Sequence, residues 1–374
     1  MKNKIRPIAI YLPQFYPIPE NDKAWEKGFT EWTNVVKARP LFKGHHQPHL
    51  PADLGFYDLR VSETREEQAK LAKQYGIYGF SYYHYWFNGH KVLERPFEEV
   101  YKSGKPDFPF MLTWANEDWA RVWDGGDMTV MCKQDYSVED HINHINYLKP
   151  IFKDKRYIKI DKKPVFAIYR STNIPNLKET IKLWREEFRK DGVELYLCRY
   201  ESYSEGGSDY LNDGFDAAIR FEPFSTRLQK FQHDYFRKIM KNKFRFWYIK
   251  YKISSKKKKK EIYNRYKIDY SEYVDYLKKL PKENYKLYPG VTPMWDNTPR
   301  KKRNFFMFTN STPEKFADWV DFELKSFKPF SKNENLFFIN AWNEWAEGNH
   351  LEPCQKWGHE YLKAFKDVIS KYNS

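Results

Sequence analysis

Short apolar runs recur along this chain, and most are followed by a stretch in which apolar residues return with helical spacing. Ile8 to Leu12 is the first run and ends in Pro13-Gln14-Phe15-Tyr16-Pro17. Gly76 to Tyr83 is the second and leads into His84-Tyr85-Trp86-Phe87. Phe108 to Trp114, Pro164 to Tyr169, Glu194 to Cys198, Phe215 to Ile219, Tyr288 to Trp295 and Leu336 to Asn340 complete the series. Their length and aromatic or β-branched content are those of buried strands. Glu66 to Tyr75, Val92 to Tyr101, Val138 to Leu148, Asn176 to Lys190, Pro313 to Leu324 and His359 to Lys371 read as helices between and after them. Strands alternating with helices predict an α/β protein with a parallel sheet. No glycine fingerprint follows the first strand, so the pattern predicts a (β/α)8 TIM barrel rather than an open dinucleotide-binding sheet.

The rhythm breaks between the sixth and seventh strands. Residues 225–283 form a basic, aromatic insertion containing the unbroken run Lys256 to Lys260, with Phe244, Phe246, Trp247, Tyr248 and Tyr251 upstream. The whole chain, 1–374, is expected to be a single catalytic barrel domain with this insertion inside it. The insertion reads either as a dock for an anionic membrane or glycan, or as a solvated lysine-rich segment. No recognised module surrounds it, so nucleic acid is not an expected partner.

Composition sharpens the picture. Aromatic residues make up 19% of the chain, with 13 Trp, 29 Tyr and 29 Phe, an excess that suits both a heavy core and sugar binding. The formal net charge of +15 favours anionic partners. Cys132, Cys198 and Cys354 are widely spaced and form no CxxC pair, so free thiols in a reducing compartment are expected. The apolar stretch near the N-terminus is too short for a signal h-region, and no run approaches a membrane span. A cytoplasmic location, at the membrane periphery if the lysine run docks there, follows as the expectation.

The densest chemistry lies just after the eighth strand, in Asn340-Ala341-Trp342-Asn343-Glu344-Trp345-Ala346-Glu347-Gly348. Glu344 and Glu347 are three apart, so a helical turn points both carboxylates to one side. Burial beside Trp342 and Trp345 is expected to raise one pKa and leave an acid and a base. That pairing is what chemistry at a glycosidic bond requires, and indole faces suit sugar rings. The plain alternative is a solvated turn with two glutamates. In a barrel the site sits at the C-terminal strand ends. The residues there include Gln14, Tyr16, His84, Trp86, Trp114, Asn116, Glu117, Trp295 and Asn343, taken as candidate substrate contacts. His84 alone also reads as a core histidine, and Asn116-Glu117-Asp118 as a loop cap.

Other chemistries find little support. There is no HExxH, and His141 with His144 reads as part of a solvated helix face. There is no GxSxG elbow, no Walker loop and no Asp-x-Asp. Gly125-Gly126 reads as a turn. No metal and no cofactor are expected.

Four stretches carry a family resemblance: Ala9 to Asn21, Gly28-Phe29-Thr30-Glu31-Trp32-Thr33-Asn34-Val35, His46 to Pro51, and Trp114-Ala115-Asn116-Glu117. With them the chain resembles, over nearly its whole length, the WbsX-type proteins of bacterial surface-polysaccharide assembly. These are similar to glycoside hydrolase family 99, (β/α)8 barrels that cleave internal α-mannosidic linkages with retention. That family's Glu-Trp-x-Glu motif matches Glu344-Trp345-Ala346-Glu347. The match implies that Glu344 draws a proton from a sugar 2-hydroxyl, through a 1,2-anhydro intermediate, and that Glu347 is general acid and then base. Spacing by itself is compatible with direct attack by a carboxylate as well. The expected enzyme cleaves or transfers at an α-glycosidic bond of a polysaccharide or lipid-linked glycan. The alternative is a nucleotide-sugar glycosyltransferase in which Arg199 or Arg220 holds a diphosphate. A glycan-binding protein without catalysis is the third reading.

Overall fold

The computed structural model describes residues 4–121, 129–203, 205–240, 267–301 and 305–374. Its core is a parallel sheet built from β1 (Arg6–Tyr11), β2 (Gly79–Phe87), β3 (Phe110–Trp114), β4 (Lys163–Ile168), β5 (Tyr196–Glu201), β6 (Ala217–Arg220), β7 (Leu287–Tyr288), β8 (Gly290–Val291) and β9 (Leu336–Ile339). Neighbours pair in chain order from β1 to β7, and β9 pairs with β1 and β8. β7 and β8 are two halves of one run broken at Pro289. Leu287 and Tyr288 pair with Ala218 and Ile219, while Gly290 and Val291 pair with Phe338 and Ile339. One run thus bonds to both sides, and the sheet becomes a nearly closed (β/α) barrel. Gly290 makes this possible, because a Cβ there would lie 2.0 Å from the carbonyl oxygen of Arg220. The seventh strand ends at Val291, and Thr292 to Trp295 belong to the loop beyond it.

The first βα connection carries α1 (Pro19–Ala24) and α2 (Glu31–Lys37) before the barrel helix α3 (Ser62–Gln74). Next come α4 (Arg95–Ser103), α5 (Val138–Lys153) and α6 (Leu177–Arg189), then α7 (Thr226–Met240), α8 (Tyr270–Leu277), α9 (Pro313–Ser326) and α10 (Glu360–Asn373). Local caps set several starts. The Ser137 hydroxyl accepts from the Asp140 amide at the head of α5, and Thr312 caps α9 ahead of Pro313. Between β5 and β6 there is only a short 3-10 turn, Ser208–Asp213, which matches the missing helical pattern there.

α7 and α8 bound the basic segment, and both pack on the barrel. Phe231 meets Tyr273 and Tyr276, and buried Arg227 pairs with Glu222 at 2.6 Å and Glu323 at 2.7 Å. Lys256 to Lys260, Phe244 and the aromatics up to Tyr251 lie outside the described residues, as does Gly125-Gly126.

His141 and His144 are a correction. They are not solvated but buried on the inner side of α5. His144 stacks on Trp86 and accepts or donates to His84 at 2.8 Å between their Nε2 atoms, and Trp184 Nε1 donates to His141 Nδ1. Burial holds His84 down to about 3 and His141 down to about 4. Aromatic neighbours on β2, β3 and α6 make this helix face apolar in space although it looks polar in sequence.

Candidate active site

Beyond β9 the chain makes a tight hairpin at the C-terminal mouth of the barrel. Asn343–Glu344 pairs antiparallel with Asn349–His350, and Trp345–Glu347 forms a 3-10 turn between them. Asn343 anchors the hairpin. Its side chain accepts from the Leu12 amide at 2.8 Å and donates to the Leu12 carbonyl at 3.0 Å. Gly348, at φ +52°, closes the turn, and a Cβ there would press on Asp296 at 3.0 Å. The turn sends Glu344 and Glu347 to one side, as the three-residue spacing implies.

Both carboxylates meet a single guanidinium. Arg300 Nη2 lies 2.8 Å from Glu344 Oε2, and Arg300 Nη1 lies 2.6 Å from Glu347 Oε1. Arg300 Nη2 also pairs with a third carboxylate, Glu31, at the start of α2. Side-chain exposure falls from 21% at Glu347 to 6% at Glu344 and 0% at Glu31. Burial pushes the Glu344 carboxyl up to about 8; Arg300 opposes this, while Glu347 and Glu31 add to it. Burial also raises Glu347, again against Arg300 and with help from Glu31. Both acids therefore move up, where one was expected to stay low. Glu344, the residue given the base's part by resemblance, is the deeper of the two.

Arg300 is held by its own loop. Asp296 accepts from the Thr298 amide at 3.0 Å, and the Arg300 and Lys301 amides donate to the Asn297 carbonyl. Asp296 is itself fixed by His45 Nε2 and Gln47 Nε2, each at 2.7 Å, and its amide donates to the Glu347 carbonyl at 2.6 Å.

Opposite the carboxylates stand phenols. Burial and the Glu344 charge hold the hydroxyls of half-buried Tyr83 and Tyr85 well above their ordinary value. Tyr169 and Tyr203 feel Glu347 and Glu117 in the same way, Tyr203 being pushed up to about 12 mainly by burial. Arg170 lies over the Tyr169 ring at 4.5 Å and reaches Glu117 at 3.3 Å. Glu117 is the expected contact that projects most freely, with 53% of its side chain exposed. Asn116 sits beneath, its amide clasping the Arg170 backbone by two bonds of 2.7 Å.

Other expected residues serve elsewhere. His84, Trp86 and Trp114 lie on the outer face of β2 and β3, buried against α5 and α6: Trp86 Nε1 donates to Asp140 at 2.7 Å and Trp114 stacks on Trp184. Side chains alternate along a strand, so the inward positions at these strand ends are Tyr83 and Tyr85. Arg199 and Arg220 are outward for the same reason, flanked by inward Tyr200 and Phe221. Arg199 pairs with Glu205 at 3.6 Å and Arg220 with Glu283 at 2.6 Å. Tyr16 is buried in a satellite cluster with Ile18 and Phe87, its hydroxyl accepting from the Arg95 amide. Gln14 is buried and meets the site through its carbonyl, which accepts from the Glu31 amide at 2.9 Å. Trp295 is buried with its ring against Phe224.

The two tryptophans of the hairpin offer no open faces. Trp342 is sealed against Phe80, and Trp345 stacks on His350 at 3.8 Å while donating to Glu352 at 2.6 Å. They stiffen the platform under the carboxylates. Sequence reasoning missed Arg300 altogether and passed over Glu31, which stood inside a motif without a role. Nothing local in the sequence marks it, because its burial and its pairing with Arg300 come from the fold. Among the described residues no cluster of His, Cys, Asp and Glu is arranged to hold a metal ion. Cys132, Cys198 and Cys354 are free, and no described helix is long and apolar enough to cross a membrane.

Comparisons with known proteins agree with this architecture. Residues 7–365 match the model of the family described as glycosyltransferase WbsX. The chain is 35% identical over 373 residues to an uncharacterized protein, WxcX, of Xanthomonas campestris pathovar campestris. That match covers 97% of this chain and 49% of the relative, so the chain spans about half the length of the curated relatives it matches. Among solved structures, a GH99 endo-alpha-mannosidase from Bacteroides thetaiotaomicron superposes with a TM-score of 0.59 at 13% identity, covering 98% of this chain and 97% of that one. A glycoside hydrolase-like protein gives 0.58 at 14% identity, with 98% and 94% covered. At such identities the likeness is one of fold.

Proposed function

Because this chain belongs to the WbsX glycosyltransferase family, we propose that it is a carbohydrate-active enzyme working at an α-glycosidic bond of a bacterial surface polysaccharide or its lipid-linked precursor. One observation carries the reading: Glu344 and Glu347 rise from one turn at the barrel mouth, share Arg300 and face a wall of tyrosines. A raised carboxyl beside a second carboxylate is the equipment for protonating a leaving oxygen and activating a hydroxyl. The neighbouring-group course, with Glu344 drawing the 2-hydroxyl proton and Glu347 serving as acid and then base, is the form proposed by resemblance. For it to run, Glu344 must be ionised, against the burial that raises its carboxyl. Arg300, bonded to Glu344, stabilises the carboxylate that results.

A nucleotide-sugar transferase is less well supported. Arg199 and Arg220, its expected diphosphate anchors, are turned outward and engaged with carboxylates. Glu117 and the phenols of Tyr83, Tyr85, Tyr169 and Tyr203 suit the hydroxyls and ring faces of sugars. The partner proposed is therefore a glycan chain, met in the cytoplasm or at the inner membrane surface, with no metal or cofactor required. Screening the producer's own polysaccharide for cleavage or transfer tests the reading. Tight calorimetric binding of uridine or guanosine diphosphate, with no action on the glycan, would replace it with the transferase.

A further inference from the structure

We infer that Glu31 is a positioning residue for the Glu344–Glu347 pair: acting through Arg300, it fixes the guanidinium between the two carboxylates and divides one cation among three anions. The inference rests on the proposed function only in taking those two glutamates as the working pair.

The geometry is specific. Glu31 is fully buried, and one carboxylate oxygen takes both the Arg300 Nη2 and the Ala346 amide, the latter at 3.2 Å. Ala346 lies between the two glutamates in the chain. Glu31 therefore holds the turn that carries them and the cation that joins them. Its other oxygen is buried with no hydrogen-bond partner. A carboxylate in that state is costly unless a cation answers it. Arg300 answers it, and does so for Glu344 and Glu347 as well. Burial works against the charge of Arg300, yet Glu31, Glu347 and Glu344, in that order, hold it well above its ordinary value. Glu344 and Glu347, both raised by burial around this one guanidinium, cannot both ionise comfortably in a dry site. The neighbours that face the cluster are Tyr83 and Tyr85 from β2, Tyr169 after β4, Tyr203 after β5 and Lys301 beside Arg300.

Glu31 is anchored for this task. Its amide donates to the Gln14 carbonyl at the end of β1, and the Thr30–Thr33 capping box starts the helix at Glu31. The carboxylate is thus tied to the barrel rather than to a mobile loop.

Opposite effects are expected from removing the extra anion and removing the cation. Titration of glutamate carboxyls by 13C NMR, with signals assigned through E344Q and E347Q, reads them without any substrate. In E31Q the apparent pKa values of the pair should fall by about one unit or more, because a like charge is gone. In R300Q they should rise. Thermal melting run alongside separates a merely structural role: E31Q that melts lower while the pair titrates as in the wild type overturns the inference. If E31Q does not fold, R300Q decides, and a pair that titrates unchanged or lower in it overturns the inference equally. On any glycan substrate found, the alkaline limb of the kcat/KM profile should shift down in E31Q. Shifted titrations without any glycan activity would leave the positioning role standing and sink the proposed function instead. Unshifted titrations in an enzyme active on glycans would do the reverse.

Discussion

At the scale of single residues, the two glutamates are chemically unequal although they share a turn. Glu344 is deeper and holds its proton up to about 8, while Glu347 reaches the mouth. If Glu347 is the general acid proposed, Glu347→Gln keeps the shape but removes the proton that a leaving group would take. Turnover on a natural glycan should fall by about 10²–10⁴-fold, and the loss should shrink with an activated leaving group. Glu344→Gln should lose as much and recover little with that substrate if Glu344 works on the 2-hydroxyl. A 2-fluoro sugar with a good leaving group should then fail to react in the wild type. Intact-mass detection of a covalent adduct on Glu344 would instead establish direct attack. Glu352 makes a second case. It is buried, pushed up to about 7 by burial, and accepts from Trp345, Gln68 and Tyr57. Glu352→Leu leaves three donors without an acceptor, at about 1–3 kcal/mol each. A sharp drop in Tm should follow, and calorimetry that shows none would remove Glu352 from the platform.

At the scale of elements, parity along a strand decides which residues reach the barrel mouth. Tyr83 and Tyr85 point to the mouth, and His84 and Trp86 point to α5. Tyr83→Phe and Tyr85→Phe should therefore change kcat/KM by severalfold or more while Tm stays close to the wild type. His84→Ala should show the opposite split, since it removes a buried hydrogen bond and leaves a cavity. A His84 variant that is stable yet inactive would contradict the strand register itself. Hydropathy marks β2 as buried on both faces, as it should for a parallel strand, so nothing in its composition tells inward from outward. The order of the strands was legible because each is a short apolar run, although the seventh splits at Pro289 and ends at Val291 rather than Trp295. Their parity was not.

At the scale of the whole molecule, buried titratable groups of two kinds oppose one another in acid. His49 is held down to about 4, His84 to about 3 and His141 to about 4, with His144 and His350 well below their ordinary values, all by burial first. The unfolded chain takes up these protons near pH 6.5 and the folded chain does not, so stability is lost as pH falls below that value. Burial raises Asp140 to about 6, Glu352 to about 7 and Glu344 to about 8. These acids keep protons that the unfolded chain has released, so their contribution is lost as pH rises toward 8. Tm should peak at about pH 6–7 and fall on both sides, as the depressed histidines oppose the raised acids. Differential scanning fluorimetry from pH 4.5 to 8.5 checks this, and a Tm still rising at pH 8 would mean Glu344 and Glu352 are ionised in the fold. The lysine run belongs to the same scale. If Lys256 to Lys260 dock on anionic lipid or glycan, replacing them by Gln should weaken sedimentation with anionic vesicles or glycan most at low salt, since exposed charges are screened within about 8–10 Å near physiological ionic strength, and unchanged sedimentation leaves the solvated-segment reading.

What the sequence determined by itself was the pattern that local physics writes into a chain. Alternating apolar runs and helical periodicities imply the barrel, and the three-residue spacing puts Glu344 and Glu347 on one side of a turn. Both are short-range properties. Tertiary structure alone decided three things. It joined Leu287–Tyr288 and Gly290–Val291 to opposite neighbours so that one run closes the sheet. It turned Tyr83 and Tyr85 inward and sealed Trp342 and Trp345 as supports rather than sugar platforms. It brought Glu31 and Arg300, 269 positions apart, onto the pair. The reason is the same in each case. A charge or ring takes its role from what surrounds it in a low-dielectric interior, and those neighbours come from strands and loops far away in the chain.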